Sequence, residues 1–328
     1  MKKGKMSKKK KVLLIVLAVV LVVIIGAAAA VYAITHSLYS SSNYTADSDA
    51  MKGYTNTGEE VDEISPEESQ GEAITDEEQQ QLEAQMKEFS EAEPVTNDGD
   101  VYNVLLVGVD RRDTSWAGNS DTMILMSLNY EKKQISMISL MRDTYVDIPG
   151  IGMRKLNAAH ANGAGPLLLE TVTQNYKIQV DRYVSVDFNS LIDIIDKIGG
   201  VELTLSSEEV RVANNYVKEM CNLRDLDPTS YFFIQEGTKN CSGIQAVAYA
   251  RIRYVGNAGY ERTERQRTVL TKIMEKLKDM SVTELYGFAQ DVLPLVTHNI
   301  PESEMWNLLS KAPELFQYTL VKDRIPYD

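Results

Sequence analysis

The segment VYNVLLVGV, residues 101 to 109, constrains the fold more than any other part of this chain. It is apolar almost without interruption and runs into Gly108-Val109-Asp110, the pattern of a strand covered on both faces that ends in a loop. Such a strand interleaved with helices indicates a sheet with helices on both faces. TMILMSLNY at 122 to 130 and QISMISLM at 134 to 141 predict two neighbouring strands, joined as a hairpin through Tyr130 to Lys133. Helical periodicity follows Gly165-Pro166 to about Tyr176. VDRYVSVDF at 180 to 188 predicts a strand, SLIDIIDKIG an amphipathic helix, and VELTL after Gly199-Gly200 another strand. Ser206 or Ser207 caps a helix through Met220, and a shorter helix covers Ile244 to Tyr249. Thr263-Glu264-Arg265-Gln266 fits a capping box that opens a helix running to about Met280. The expected fold is α/β: a three-layer α/β/α sandwich with a central mixed sheet, over residues 101 to 328, with 281 to 328 completing it.

A different pattern precedes it. Lys2, Lys3, Lys5 and Lys8 to Lys11 form a basic tail over 1 to 11, and residues 12 to 34 are an apolar run of 23. At about 1.5 Å per residue that run spans a bilayer as one transmembrane helix. The positive flank places the N-terminus in the cytoplasm and everything beyond it outside, as a single-pass protein of the cell membrane. Val31-Tyr32-Ala33 loosely fits a signal-peptide cleavage site, but the run is longer than such peptides need, so an uncleaved anchor is the preferred reading. Residues 35 to 100 are expected to be an acidic, flexible extracellular spacer, with a short helix pattern at 76 to 90.

Charge is unevenly distributed. The chain carries a net charge of -13, but residues 45 to 100 hold 18 acids against Lys52 and Lys87, while 101 to 328 hold 25 basic and 29 acidic groups. The folded body is therefore nearly neutral, and a nucleic-acid partner is excluded for an outward-facing domain without a broad positive surface. Export permits a disulfide between Cys221 and Cys241, the only cysteines, and two buried free thiols are the alternative. Two cysteines and the scattered His36, His160 and His298 argue no soft-metal site.

Against this neutral background, RIRYVGNAGYERTERQR at 251 to 267 packs Arg251, Arg253, Arg262, Arg265 and Arg267 into 17 residues. Guanidinium groups are planar, permanently charged forks of donors, suited to phosphate or carboxylate. Arg262 shares a helical face with Gln266, or with Arg265, near the predicted helix N-terminus, where backbone N–H groups also favour anions. Arg111 and Arg112 follow Asp110, and Arg142-Asp143 follows QISMISLM. Asp110 and Asp121 lie at predicted strand ends that can meet in one crevice, giving hard oxygen ligands suited to Mg²⁺. Each feature alone is ordinarily a turn cap or a surface ion pair. Together they point to a pyrophosphate site. The chain has no GxxxxGK[ST] loop, GxSxG elbow or recognisable glycosidase pair, and a tethered exported domain reaches lipid-linked phosphates most directly.

VYNVLLVGVDRR, NSDTMILMSLN, ISLMRDTYVDIPG, KLNAAHANGAG, VDRYVSVDF, IGGVELTL and GIQAVAYARIRY, in this order, resemble the LytR-CpsA-Psr family of membrane-anchored enzymes. The resemblance covers about residues 101 to 280. It implies Mg²⁺-dependent transfer of a glycopolymer, such as wall teichoic acid or capsule, from an undecaprenyl-pyrophosphate carrier to peptidoglycan through a phosphodiester bond. It also implies an apolar tunnel between sheet and helices for the polyprenyl chain. By the same resemblance Asp110 and Asp121 bind Mg²⁺, directly or through water. Arg111, Arg142, Arg251, Arg253, Arg262 and Gln266 hold the pyrophosphate and nearby groups, and Asp143 supports Arg142. Asn119 and Gly259 depart from the family pattern, which commonly has Arg at the first position and an acid at the second. A polyprenyl-pyrophosphate hydrolase and a noncatalytic glycopolymer-binding protein of the cell wall are the competing readings.

Overall fold

The computed structural model describes residues 32–55, 80–81, 84–85, 99–111, 115–253, 255–256 and 258–326. The apolar run at 12 to 34 lies almost wholly outside the described residues. Among those described, no helix is long and apolar enough to cross a membrane. Arg112 also lies outside them, as does most of the predicted helix at 76 to 90, of which residues 80–81 and 84–85 are helical.

Seven strands form the main sheet: β1 (Asn43–Tyr44), β2 (Val101–Asp110), β3 (Asn119–Asn129), β4 (Gln134–Leu140), β7 (Arg182–Asp187), β10 (Thr297–His298) and β11 (Thr319–Ile325). Their spatial order is β1-β10-β7-β2-β3-β4-β11, so VYNVLLVGV is the middle strand. β2 runs antiparallel to β3 and parallel to β7, which makes the sheet mixed. Two antiparallel pairs stand apart, β5 (Tyr145–Ile148) with β6 (Gly152–Lys155), and β8 (Val201–Leu205) with β9 (Gly237–Cys241). VELTL is thus a strand as predicted, but outside the central sheet.

Helix α1 (Ala158–Tyr176) packs on one face, its chain kinked at Gly163 and Ala164. Its Leu168 packs with Leu105, Val107 and Val109 of β2 and with Met123, Leu125 and Tyr183. The opposite face carries α2 (Phe188–Lys197), α4 (Gly243–Ala250) and α5 (Ala258–Lys278), with α3 (Ser207–Leu223) packed outside them around a second core that includes Ile195, Val217 and Val247. Helices α6 (Val282–Val292) and α7 (Glu302–Leu315) follow. Reciprocal capping boxes start α3 at Ser206 with Glu209 and α4 at Ser242 with Gln245, satisfying otherwise unpaired N–H groups. The box expected at Thr263 does not form. Helix α5 begins a turn earlier, at Ala258, with Glu261 favourably placed near its positive end, and Thr263 Oγ1 donates to the Tyr260 carbonyl at 2.8 Å.

Two further expectations are corrected. The spacer does not begin at residue 35: β1 adds a parallel strand beside β10, the Thr45 amide donates to the His298 carbonyl at 2.9 Å, and the Thr55 amide reaches the Ser115 carbonyl at 2.9 Å. Backbone pairing holds this polar segment where its side chains supply little core. Cys221 and Cys241 are buried, free thiols rather than a disulfide, although both belong to the second core. Burial pushes Cys241 up to about 11 and raises Cys221 as well, so neither is a ready thiolate.

Gly243 permits the close approach of α4 to α2, because a Cβ there would lie 2.1 Å from the Ile192 carbonyl oxygen. Gly243→Ala should lower stability by about 1–3 kcal/mol in a urea titration, as overpacking does, whereas Gly287→Ala, with open space around it, should not. Both cysteines should resist iodoacetamide in the native state and react fully after unfolding without reductant, as read by intact mass.

Candidate active site

Alternation along β2 decides what reaches the site. Val107 and Val109 enter the core under α1, while Leu106, Gly108 and Asp110 turn to the other face and line a cavity of about 650 Å³. Ile124 and Val184 continue its floor, and Ile194 and Val247 come from the helices opposite. One stripe of α5 runs its length: Arg262 and Gln266 first, then Val269, Leu270, Ile273 and Leu277. Over those 16 residues the stripe extends about 22 Å. The cavity is therefore charged at one end and apolar beyond it, with Phe288 and Val292 of α6 also among its walls.

The charged end is organised around Asp121, whose side chain is 10% exposed. Arg142 Nη1 donates to its Oδ1 at 2.7 Å. Arg253 Nη2 approaches Oδ2 at 3.4 Å and Arg262 Nη2 at 3.5 Å, and Arg262 also donates to the Asp121 backbone carbonyl. Burial by itself would raise the acid, but Arg262, Arg142 and Arg253 outweigh it and hold the carboxyl below the usual range. Burial draws Arg262 down to about 10, against the pull of Asp121, which still leaves it charged at neutral pH. For Arg142 the attraction of Asp121 and Asp143 exceeds the opposing effect of burial and raises it. Three cations thus surround one carboxylate. With Asp110 counted at the same mouth, and Asp143 behind Arg142 offset by Lys155, the local balance remains positive by one charge, which suits an incoming anion.

The structure separates the predicted site residues into groups. Asp110, Asp121, Arg251, Arg253, Arg262 and Gln266 line the cavity. Arg251 is held between the Phe188 and Tyr216 rings, 5.1 and 5.0 Å from their centroids, with Glu219 3.3 Å from Nη2. Arg142 meets this group through Asp121, and Asp143 backs Arg142 at 3.1 Å while accepting Lys155 at 3.2 Å. Arg111 does not line this cavity. It turns to the other face of the sheet, donating to Tyr54 Oη at 3.0 Å and to Asp187 Oδ2 at 3.3 Å. Arg265 and Arg267 are structural. Buried Arg265 ties Glu209 and Glu261, each at 2.8 Å, and donates to the Ile252 and Val255 carbonyls, while Arg267 donates to Ser139 Oγ at 2.6 Å. Asn119 lies opposite Asp110 in the β2–β3 register.

No group of three or more His, Cys, Asp or Glu side chains gathers among the described residues. A cage made only of protein ligands is therefore not formed there. Asp110 and Asp121 both line the cavity mouth, and carboxylates are the oxygen ligands that Mg²⁺ commonly takes beside water and phosphate.

Sequence reasoning missed the walls of the cavity, His160 and Tyr54. The walls had a readable signal in the change from polar to apolar along one face of 262 to 277. Tyr54 had none, because its segment is acidic and sparse in apolar residues. His160 is buried behind the mouth, with Nδ1 donating to the Gly118 carbonyl at 2.9 Å. Burial holds its pKa down to about 4, so the ring is neutral.

The α/β sandwich thus holds a cavity that is apolar along its length and carries guanidinium groups at one end, a pattern suited to an amphiphile with an anionic headgroup. The sequence profile of the LytR_cpsA_psr family matches residues 65–328, and the chain belongs to that family. It is 35% identical over 208 residues to the polyisoprenyl-teichoic acid–peptidoglycan teichoic acid transferase TagU of Enterococcus faecalis, covering 62% of each chain. Its fold is similar to that of TagT bound to LI-WTA, with a TM-score of 0.54 and 26% identity over 72% of this chain and 82% of the other. It is also similar to TagT with bound octaprenyl pyrophosphate lipid, with a TM-score of 0.50 and 26% identity over 72% and 81% of the two chains. The chain spans 53 to 62% of the length of the first curated relatives it matches.

Because His160 is neutral when folded, it favours the fold fully above its unfolded pKa of 6.5, and that contribution is lost as pH falls toward 4. The loss should amount to about 3 kcal/mol. His160→Gln should remove that part of the slope in denaturant titrations run from pH 7 to 4.

Proposed function

We propose that this chain transfers a glycopolymer from an undecaprenyl-pyrophosphate carrier to peptidoglycan, forming a phosphodiester bond. The observation that carries this reading is the single cavity surface that passes from Asp121 and its arginines to an apolar stripe. A diphosphate fits the charged end and a polyprenyl chain the remainder. The relatives named as polyisoprenyl-teichoic acid transferases, and the similar fold with bound octaprenyl pyrophosphate lipid, support the same assignment.

In this reaction a peptidoglycan hydroxyl oxygen forms a bond to the polymer-proximal phosphorus. The bond from that phosphorus to the bridging oxygen breaks, polyprenyl phosphate departs with the electron pair, and the hydroxyl proton is released to solvent. Arg253 and Arg262 bind and orient the phosphoryl oxygens, and their donors are already fixed by Asp121 before substrate arrives. Arg142, packed against Asp121 and Asp143, adds positive charge where the leaving phosphate accumulates negative charge. Arg251, clamped by two rings, guards the passage from headgroup to chain. Asp110 and Asp121 would hold Mg²⁺ at this mouth, and the ion would supply further charge neutralisation at the phosphates. The N-terminal apolar run anchors the protein in the cell membrane, which places the cavity near its lipid substrate.

Incubated with lipid-linked teichoic acid polymer and peptidoglycan oligomers, the protein should form a covalent conjugate. Arg142→Ala and Asp121→Ala should each reduce coupling about 100-fold or more while the proteins stay folded. Unchanged coupling in folded variants would remove these role assignments. Hydrolysed lipid without conjugate would instead identify a pyrophosphate hydrolase, and neither product a binding protein.

A further inference from the structure

The face of the sheet away from the apolar cavity carries a second one, of about 360 Å³. Arg111, Ser185 and Asp187 line it from the strand ends, Ser190 from the start of α2 and His160 from α1. Its other wall is the N-terminal segment, through Thr45, Asp49, Lys52 and Tyr54. Hydroxyls, carboxylates, cations and a phenol ring meet here without an excess of either charge. That mixture suits a neutral, many-hydroxyl ligand such as a sugar, and the volume lies within the usual range for a small-molecule site. The two cavities flank the same strand ends from opposite faces. Val186 lines both, and Arg111 directly follows Asp110 of the first mouth.

Displacement at phosphorus sets the entering and departing oxygens roughly in line. In the transfer reaction the departing group is the polyprenyl phosphate, whose chain extends into the apolar cavity. The entering hydroxyl must therefore come from the side facing away from that cavity, and the second cavity lies on that side. We propose that it is the acceptor subsite, holding a hexosamine of the peptidoglycan glycan strand, with the attacking hydroxyl directed over the ends of β2 and β7. This rests on the transfer reading. Arg111, fixed between Tyr54 and Asp187, is then a wall of the acceptor subsite, and the N-terminal segment forms the opposite wall.

Ser190 allows a clean test, because its backbone N–H, not its side chain, completes the α2 cap on Asp187 at 2.8 Å. Ser190→Tyr should fill the cavity and raise the KM for uncrosslinked glycan strands at least tenfold. Octaprenyl diphosphate should still bind with unchanged affinity. Wild-type KM for the glycan with retained lipid binding would overturn the subsite alone, whereas a wild-type protein that binds no octaprenyl diphosphate would overturn the transfer reading with it. A measurement on the unaltered protein guards against misfolding of the variant. Diazirine-labelled chitotriose should crosslink within residues 43–54 or 185–190, and unlabelled glycan strands should suppress the label. Labelling at Arg253 or Arg262 instead would assign the sugar to the donor end and overturn the proposal.

Discussion

Asp121 is the point on which the site depends. It is a nearly buried carboxylate on β3 that receives Arg142 from the end of β4, Arg253 from the loop after α4 and Arg262 from α5. Removing either kind of charge would leave the other unpaired in a poorly solvated place, which is far more costly than loss of a surface ion pair. The carboxylate therefore binds both helical and strand elements to one position. It also collects guanidinium groups that would otherwise repel one another at the cavity mouth.

The sheet then divides the labour. Because side chains alternate along β2, Leu106, Gly108 and Asp110 face one cavity while Val109 and Arg111 face the other. Consecutive residues Asp110 and Arg111 thus serve opposite sides of the same strand end. The apolar cavity lies between the sheet and α5, where an open stripe of Val269, Leu270, Ile273 and Leu277 would be unfavourable unless covered or filled by an apolar chain. The polar cavity has a wall supplied by Thr45, Asp49, Lys52 and Tyr54, so the polar N-terminal segment shapes that side of the sheet.

Much of this was legible from local pattern. The continuous apolar run at 101 to 109 identified a covered strand, the two runs after it identified the hairpin, and Ser206 or Ser207 was read as a helix cap, a role that Ser206 takes. Arg262 and Gln266 were rightly placed on one helical face. The capping box at Thr263 misled, because a four-residue motif inside a longer helix satisfies the same spacing as one at its end. The polar segment at 43 to 55 was read as spacer because side-chain composition does not register backbone hydrogen bonds to a sheet edge.

By itself the sequence determined the alternation of strands and helices, the concentration of arginine at 251 to 267, and the carboxylates at the strand ends. These are properties of spacing and chemistry within short windows. Only the tertiary structure decided which arginines serve the site. Arg251, Arg253 and Arg262 line the cavity, whereas Arg265 and Arg267 brace the interior and Arg111 crosses to the other face. The reason is directional: a side chain's charge is fixed by its identity, but its partners are fixed by helix phase, strand parity and the elements packed against it.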